Sequence, residues 1–483
     1  MGTTSAILDG LRSSRKALLF LVYAALFLDN MLLTTVVPIM PNYLFQLERR
    51  SLKVPKSNET ALHRMDKYKA GKVNASNWEH LILVEENVRI GLMFGSKAIV
   101  QMLTNPCVSH VIKKIGYTIP MFSGFVVMFF ATASKLTCLR SCFGVFAALV
   151  FAFGKSYSVL FFARSLQGVG SACTSTAGMG MLAEVYPDDQ ERGAAMGFAL
   201  GGLALGVLVG PPFGGVMYKC CGKETPFLLL AMMSLCEGIF QLVILQPKVS
   251  QAQLKSSSFK ALLTDQYILI SSGAITIGNL GIAMLEPTLP LWMMDTMHAT
   301  PATIASMSYL VGTNIFGPLA YRIGRWLSAL IGLITIGGCL FAIPQSKNVY
   351  QLIIPTGCMG LAIGMIDASM FPHMGHIVDK RHSGIYGGVY AIADAAFCLA
   401  YAFGPVFGGP LIRSIGFPTM LYLIAILNFV YAPFLVSLRR MPEAVDETTS
   451  SELRKSKPFV GYQLFGQSAE TANEDWYALY EER

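Results

Sequence analysis

Residues 206–215 read GVLVGPPFGG, and residues 404–409 read GPVFGG. Both stretches lie inside long apolar runs, where glycines four positions apart let two helix backbones approach closely. Pro211 follows Gly210 and Pro405 follows Gly404, which predicts a bend in each helix. Because the two stretches occupy matching positions in the two halves of the chain, they predict an internally duplicated bundle of membrane helices.

A second motif is also repeated. Residues 317–325, GPLAYRIGR, close one apolar run, and residues 109–117, SHVIKKIGY, are a degraded copy that closes another. The interval from Gly116 to Gly210 is longer than the matching interval from Gly324 to Gly404. The extra length predicts an insertion in the first half, at about residues 134–148.

The composition is that of a polytopic membrane protein. Apolar residues make up 53% of the 483 residues, charged residues only 14%, and the mean hydropathy is +0.51. Soluble domains usually carry about 25% charged residues. The net charge of +8 is typical of cytoplasmic Lys and Arg in such a protein, and nothing indicates a nucleic-acid partner.

The fold class that these features predict is all-α, with 12 transmembrane helices in two six-helix halves. The apolar runs that predict them are 18–40, 88–111, 117–134, 157–178, 194–216, 226–246, 267–289, 302–320, 327–344, 351–372, 386–409 and 417–437.

The basic residues predict the orientation. Arg12, Arg15 and Lys16 precede the first span and place the N-terminus in the cytoplasm. The predicted regions are a cytoplasmic N-terminus (1–17), the first half (18–246), a cytoplasmic linker (247–266), the second half (267–437) and a cytoplasmic tail (438–483).

Two polar segments carry further signals. The luminal loop 46–87 contains the sequons Asn58-Glu-Thr and Asn74-Ala-Ser, which predict glycosylation there. The tail contains Tyr462-Gln-Leu-Phe465, a pattern used as a sorting signal, so sorting machinery is a possible partner. Neither segment contains a cysteine, and the cysteine spacing predicts neither a disulfide framework nor a metal site.

Seven ionisable residues stand inside apolar segments, where an unpaired charge costs several kcal/mol and therefore indicates function. They are Asp29, Lys97, Arg164, Glu237, Glu286, Asp367 and Asp394. A set with both signs, spread over several spans, predicts a path for a cation, a proton or both. No catalytic or phosphate-binding constellation accompanies them, so we do not expect an enzyme.

The chain resembles the major facilitator superfamily over nearly its whole length. Arg164-Ser-Leu-Gln-Gly-Val-Gly170 is similar to the superfamily's span-four motif, and GVLVGPPFGG to its antiporter motif. The loop-two motif departs from the family pattern at Ser109, Lys113 and Tyr321. Within the superfamily, the resemblance is to vesicular amine transporters, and it is carried by residues 26–44, 95–106, 279–294, 308–317 and 386–405.

The resemblance implies roles for the buried charges. Asp29, with Asn30 beside it, is expected to bind a protonated amine, and Glu286 to contact the amine or exchange protons. Asp367 is expected to carry the proton, with Asp394 contributing. Lys97 and Asp394 are expected to form an ion pair that gates the two halves. Arg164, Gly210, Pro211, Gly404 and Pro405 are expected to be structural or part of the charged network.

An aromatic wall is expected to complete the amine site. Phe397 and Tyr401 are four residues apart and share one helix face. The resemblance adds Asn279 and Tyr309. Aromatic faces stabilise cations by about 0.5–2 kcal/mol.

The function implied is proton-coupled antiport that moves cytosolic monoamines into acidic vesicles by alternating access. It needs no cofactor, since a vesicular proton pump supplies the gradient. Three alternatives remain open at this point: a vesicular acetylcholine carrier, a plasma-membrane drug/proton antiporter, and a transport-deficient isoform. The insertion at 134–148 and a short segment at 297–308, relative to the vertebrate pattern, motivate the last of these.

Overall fold

The computed structural model describes residues 14–35, 75–133, 157–221, 225–245, 258–297, 324–382 and 386–442. The helices in these ranges are α1 (Arg15–Thr35), α2 (Ala75–Ile115), α3 (Thr118–Ala133), α4 (Tyr157–Val185), α5 (Asp189–Cys221), α6 (Thr225–Leu245), α7 (Phe259–Thr264), α8 (Gln266–Met297), α9 (Arg325–Ala342), α10 (Val349–Arg381), α11 (Gly387–Ile415) and α12 (Phe417–Tyr431). The 3₁₀ helices Ile343–Gln345 and Ala432–Arg439 follow α9 and α12.

Eleven of the predicted spans coincide with helices, and α7 is a short helix within the predicted linker. Eight of the described helices are long and apolar enough to cross a membrane. The prediction of a multi-pass, all-α membrane protein is confirmed. The predicted span 302–320, the insertion at 134–148, both sequons and the sorting pattern lie outside the described residues.

One boundary differs from the prediction. The helix α2 begins at Ala75, so the second part of the segment 46–87, predicted as a loop, is helical. A helix of 41 residues is about 60 Å long, about twice the hydrocarbon thickness of a bilayer. Sequence hydropathy missed this extension because polar and charged residues interrupt the short apolar run 81–84, and a helix outside the membrane has no need of a long apolar run.

The packing of the helices repeats between the halves. In the first half α1 packs on α5, α3 on α4 and α3 on α6. The matching helices of the second half pack in the same way, α8 on α11, α9 on α10 and α9 on α12. Gly116 and Gly324, which precede α3 and α9, both adopt a positive φ (84° and 101°). The internal duplication predicted from the two motifs is therefore present in the fold.

Glycines of the predicted motif allow the closest contacts within each half. A Cβ atom at Gly206 would overlap the backbone oxygen of Phe27 on α1. At Gly404 it would lie 2.5 Å from the backbone of Ala283 on α8. Across the α1–α5 contact, Thr34 and Thr35 donate hydrogen bonds to the carbonyl oxygens of Gly206 (3.2 Å) and Gly210 (3.1 Å). These contacts need glycine because no side chain fits between the two backbones.

The two halves meet mainly along α2 and α11. Near one end of this contact Gly91 abuts the carbonyl group of Pro405. At the end predicted to be cytoplasmic, the hydroxyl of Tyr117, just after α2, accepts a hydrogen bond from the backbone N–H of Gly387 (3.2 Å). A second contact between the halves joins α5 to α10.

Candidate functional site

The centre of the first half holds a buried ion pair. The ammonium group of Lys97 on α2 lies 3.2 Å from both carboxylate oxygens of Asp29 on α1. The hydroxyl of Ser171 on α4 donates a hydrogen bond of 2.6 Å to the same carboxylate. Both charged side chains are only 6% exposed. Asp29 is therefore already neutralised and hydrogen-bonded within the protein.

The predicted ion pair between Lys97 and Asp394 is wrong for this conformation. Asp394 on α11 instead accepts hydrogen bonds from two side-chain amides of α2, Gln101 (2.9 Å) and Asn105 (2.8 Å). Residues 97, 101 and 105 are successive helical turns on one face of α2. Asp394 lies opposite Gln101 and Asn105. Lys97, one turn earlier on α2, reaches Asp29 instead. Asp394 still joins the two halves, but through amides rather than through an ammonium group.

Arg164 on α4 lies between the two halves and is only 1% exposed. Its guanidinium group donates hydrogen bonds to the side chain of Gln167 (3.1 Å) and to the carbonyl oxygen of Leu33 (3.0 Å). It also lies over the ring of Phe94, 5.4 Å from the centroid. The carboxylates within its electrostatic range are Asp29 and Glu286, one from each half.

The second half contributes two half-buried carboxylates, Glu286 on α8 and Asp367 on α10. Asp367 accepts a hydrogen bond of 3.0 Å from the side-chain amide of Asn279. Tyr401 on α11 is within electrostatic range of both carboxylates. Its ring stacks on that of Phe397, with the centroids 4.7 Å apart. Two acids and two aromatic rings that the sequence predicted to cooperate are thus brought together.

Other predicted site residues have local partners. Asn30 is buried, and its side-chain amide donates to the carbonyl oxygen of Leu26 (2.8 Å) within α1. Glu237 accepts a hydrogen bond from Gln241 one turn further along α6. Pro211 and Pro405 both lie inside helices, as predicted. Tyr309 lies outside the described residues.

A charged network that the sequence did not predict joins the halves at the predicted cytoplasmic end. Arg192 on α5 is 1% exposed and lies 2.6 Å from the carboxylate of Asp379 on α10. Arg325, at the start of α9, donates to the side chain (3.0 Å) and backbone (2.8 Å) of Asp189 on α5. Tyr386, just before α11, donates to Asp379 (2.6 Å). In the sequence these are ordinary polar and charged residues near the ends of apolar runs, and nothing there indicates that they meet.

A separate clamp lies within the second half. Asp265, between α7 and α8, is held by Arg381 (2.7 Å) and by His382 (3.0 Å). Burial raises the pKa of the Asp265 carboxyl, but the hydrogen bonds from Arg381, the backbone of Tyr267 and His382 hold it below its ordinary value. Arg381 also donates to the carbonyl oxygen of Pro442, which fixes the start of the tail. This clamp attaches both linker and tail to the second half.

The site as a whole is suited to binding and moving a small cation. Charged and aromatic side chains from both halves surround the centre of the bundle. Among the residues that the structure describes, no group of three or more His, Cys, Asp or Glu side chains is placed to hold a metal ion. Two helical halves that enclose such a centre define the class of protein as a membrane transporter.

Comparisons with known proteins agree with this class. The family model of the Major Facilitator Superfamily matches residues 19–393 and 273–472. The synaptic vesicular amine transporters of cattle and humans are each 46% identical, and the alignments cover 89% of this chain and 89% of each relative. The chain therefore belongs to the major facilitator superfamily and, within it, to the vesicular amine transporter family.

Two further comparisons mark the limits of the similarity. The vesicular acetylcholine transporter of Torpedo marmorata is 37% identical, covering 89% of this chain and 83% of the relative. A crystal structure of the human organic anion transporter MFSD10 superposes with a TM-score of 0.67 at 14% identity, covering 86% of this chain and 98% of that one. The second likeness shows the fold alone. Members of this superfamily are transporters, so the expectation that the chain is not an enzyme is confirmed.

Proposed function

We propose that this protein is a proton-coupled antiporter that moves cytosolic monoamines into acidic vesicles. The observation that carries the proposal is the 46% identity to synaptic vesicular amine transporters over 89% of both chains. The identity to a vesicular acetylcholine transporter is lower, at 37%. The arrangement of carboxylates and aromatic rings in the centre of the bundle supports a cationic aromatic substrate.

The amine is proposed to bind between the two halves. Phe397 and Tyr401 supply a stacked aromatic surface, and Glu286 and Asp367 lie within electrostatic range of Tyr401. An ammonium group placed there faces both negative charge and aromatic π-electrons, which stabilise a cation by about 0.5–2 kcal/mol. Asp29 is occupied by Lys97 in this conformation, so the ammonium group of the amine competes with Lys97 for that carboxylate.

Proton exchange is assigned to Asp367, with Glu286 as a second site. Asp367 is half-buried and accepts a hydrogen bond from the side-chain amide of Asn279. The amide of Asn279 reaches Oδ1 of Asp367, so Oδ2 can take up a proton. Protonation on the luminal side releases the amine, and deprotonation on the cytosolic side restores the site. Both steps bias a rocking of the halves between two states.

The conformation described here fits the part of this cycle in which the cytosolic side is closed. Arg192, Asp379, Asp189 and Arg325 join the two halves at that end. For the site to receive an amine from the cytosol, this network must separate. The network thus acts as the cytosolic gate that alternating access requires.

The test is uptake of labelled serotonin into vesicles that contain the full chain and have an acidic lumen. We expect accumulation that a proton ionophore abolishes. Labelled acetylcholine, given in parallel, distinguishes the vesicular acetylcholine alternative. If neither substrate moves while the protein is folded and in the membrane, the transport-deficient alternative holds.

Asp367→Asn is the variant that tests the coupling. It should abolish proton-driven uptake yet leave amine binding measurable, because Asn keeps the shape of the side chain but cannot carry a proton. Glu237→Gln is the matched control, since Glu237 is a membrane carboxylate whose hydrogen bond lies within α6. Uptake against the gradient by Asp367→Asn would remove Asp367 from the proton path.

The vesicle membrane is the proposed location, with both termini in the cytoplasm and glycosylation of Asn58 and Asn74 in the lumen. The tail pattern Tyr462–Phe465 is proposed to engage sorting machinery. Tyr462→Ala should then shift the protein from vesicles to the cell surface in transfected neuroendocrine cells. Unchanged vesicle location would contradict this role. Surface location of the unaltered chain would favour the plasma-membrane antiporter.

A further inference from the structure

We propose that His376 makes closure of the cytosolic side sensitive to cytosolic pH, so that acidification of the cytosol holds the protein closed to its substrate. The proposal rests on the proposed function, because it concerns the state in which the transporter cannot receive a cytosolic amine. It assigns a regulatory role to a side chain that the transport cycle itself does not use.

The geometry places His376 on the contact between the halves. Its Nδ1 atom on α10 lies 3.6 Å from Oδ1 of Asp189 on α5. The same oxygen receives the guanidinium groups of Arg325 (3.0 Å) and Arg192 (3.1 Å). Arg325 and His376 come from the second half, whereas Asp189 and Arg192 come from the first. Charge on His376 therefore acts across the interface rather than within one half.

The remaining ionisable groups around this cluster are already engaged. On α10 itself, Asp379 binds Arg192 and the hydroxyl of Tyr386. From α11, the hydroxyl of Tyr390 contacts the sulfur of Met196. At the start of α8, Asp265 is held by Arg381 and His382. Asp189 is thus the carboxylate that His376 faces.

His376 is accessible to cytosolic protons, whereas its neighbour His373 is packed away. The side chain of His376 is 30% exposed and that of Asp189 is 39% exposed. His373 is only 7% exposed, and its ring stacks on that of His376 with the centroids 6.1 Å apart. The stack holds the orientation of the His376 ring, so that Nδ1 stays directed at Asp189.

Protonation of His376 strengthens the contact with Asp189 only in the closed state. A histidine side chain ordinarily changes charge between about pH 5 and pH 8. Once the halves separate at this end, His376 and Asp189 move apart and the charged imidazole loses its partner. A half-exposed pair of this kind contributes about 0.2–1 kcal/mol, which corresponds to a closed-to-open ratio about 1.4- to 5-fold higher when His376 is protonated.

The experiment measures closure directly in the full chain, reconstituted in lipid nanodiscs with the same pH on both sides. Fluorescent dyes are attached through unnatural amino acids at Gln190 and Arg440, exposed residues of the two halves at this end. Energy transfer between the dyes gives the closed fraction at about pH 7.5 and at about pH 6. The quantity compared is the pH response of each variant relative to that of the unaltered chain, so that pH effects from other groups cancel.

Three variants decide the outcome. His376→Gln should lose a factor of about 1.4 to 5 of the pH-dependent rise in the closed-to-open ratio, and His376→Arg should stay closed at both pH values. His110→Gln, which removes an exposed histidine of α2, should behave as the unaltered chain. A full pH response in His376→Gln would overturn the proposal, as would an open population in His376→Arg equal to that of His376→Gln.

A parallel uptake measurement separates this proposal from the proposed function. His376→Gln should still accumulate serotonin when the cytosolic side is held at about pH 7.5. If the unaltered chain fails to transport serotonin, the proposed function fails, while the dye measurement still decides the role of His376.

Discussion

At the residue scale, the central observation is that Asp29 already has a cation. Lys97 occupies the position that an amine would take beside this carboxylate, and Ser171 completes its hydrogen bonding. The free-energy cost of burying two charges away from water is offset only while the two charges form an ion pair. Under the proposed function, an amine that binds Asp29 must displace Lys97.

We predict that Lys97→Met destabilises the protein by about 3–5 kcal/mol, because it leaves the Asp29 carboxylate buried without its partner. The double variant Lys97→Met/Asp29→Asn should regain most of this loss, since no isolated charge remains. Thermal unfolding in detergent, followed by size-exclusion chromatography, measures both. Equal instability of the single and double variants would show that Lys97 matters for packing and not for its charge.

A second residue-scale prediction concerns the Asp265 clamp and pH. Because the folded protein lowers the pKa of Asp265, its contribution is present above the ordinary carboxyl pKa of about 3.9 and is lost as the pH falls through the folded value. The destabilisation by Asp265→Asn, about 1.5–3 kcal/mol, should thus persist from about pH 7.5 to about pH 5 and fade only as the pH falls further below about 4. Thermal unfolding across this range checks it, and a loss that fades already near pH 6 would contradict it.

The sequence identified most of the central residues but not all of their partners. A charge inside an apolar run is visible without a structure, which is why Asp29, Glu286, Asp367 and Asp394 could be named. The carboxylate that each side chain reaches depends on the rotation of α2. Because residues 97, 101 and 105 all lie on one face of that helix, any of them could have met Asp394. The spacing of Gln101 and Asn105 after Lys97 was the available signal that amides would reach Asp394.

At the element scale, α1 and α5 pack closely enough to move as one unit. Glycines at positions 202, 206, 210 and 214 place the backbone of α5 directly against α1. Thr34 and Thr35 add hydrogen bonds across the same contact. Asp29 on α1 and Asp189 on α5 therefore lie on two helices that pack closely together.

We predict that Gly206→Ala destabilises the protein by about 1–3 kcal/mol, because the new methyl group overlaps the backbone of Phe27 and forces the helices apart. Gly215→Ala is the matched control, since nothing lies within 4 Å of a Cβ atom there. The control should be neutral or slightly stabilising, as alanine favours a helix over glycine by about 1 kcal/mol. Similar thermal stability of the two variants would exclude a tight α1–α5 contact.

The helices themselves were largely predictable because the membrane demands long apolar runs. The residues at which the helices begin and end were not predictable. Outside the bilayer a helix can continue on polar residues, so α2 starts at Ala75 and α10 continues to Arg381. The network at the predicted cytoplasmic end is likewise built from polar residues near helix ends, and the sequence did not predict it for the same reason.

At the scale of the whole molecule, the halves are held together at one end by side chains far apart in the chain. Arg192 and Asp379 are separated by 187 positions, yet lie 2.6 Å apart. A contact across such a distance follows from how the halves pack and leaves no trace in local sequence patterns.

We predict that Asp379→Asn shifts the equilibrium about 10- to 150-fold towards the state open at this end, because Arg192 loses a charge-assisted hydrogen bond of about 1.5–3 kcal/mol. The dye pair at Gln190 and Arg440 reports the shift. Asp188→Asn is the control, since Asp188 only caps α5 by accepting from the backbone of Gln190 and Glu191, and asparagine caps equally well. An unshifted equilibrium in Asp379→Asn would show that other contacts close this end.

The unequal numbers of acids and bases in the centre have a consequence for what can be exchanged. Among the residues that the structure describes, the centre holds four carboxylates (Asp29, Glu286, Asp367 and Asp394) and two basic side chains, Lys97 and Arg164. When all six are ionised, the centre lacks two positive charges. Two protons restore electroneutrality, and so does one ammonium ion together with one proton. Under the proposed function, one kind of occupant can therefore replace the other while this group of side chains stays electroneutral, which avoids the cost of an uncompensated charge in lipid.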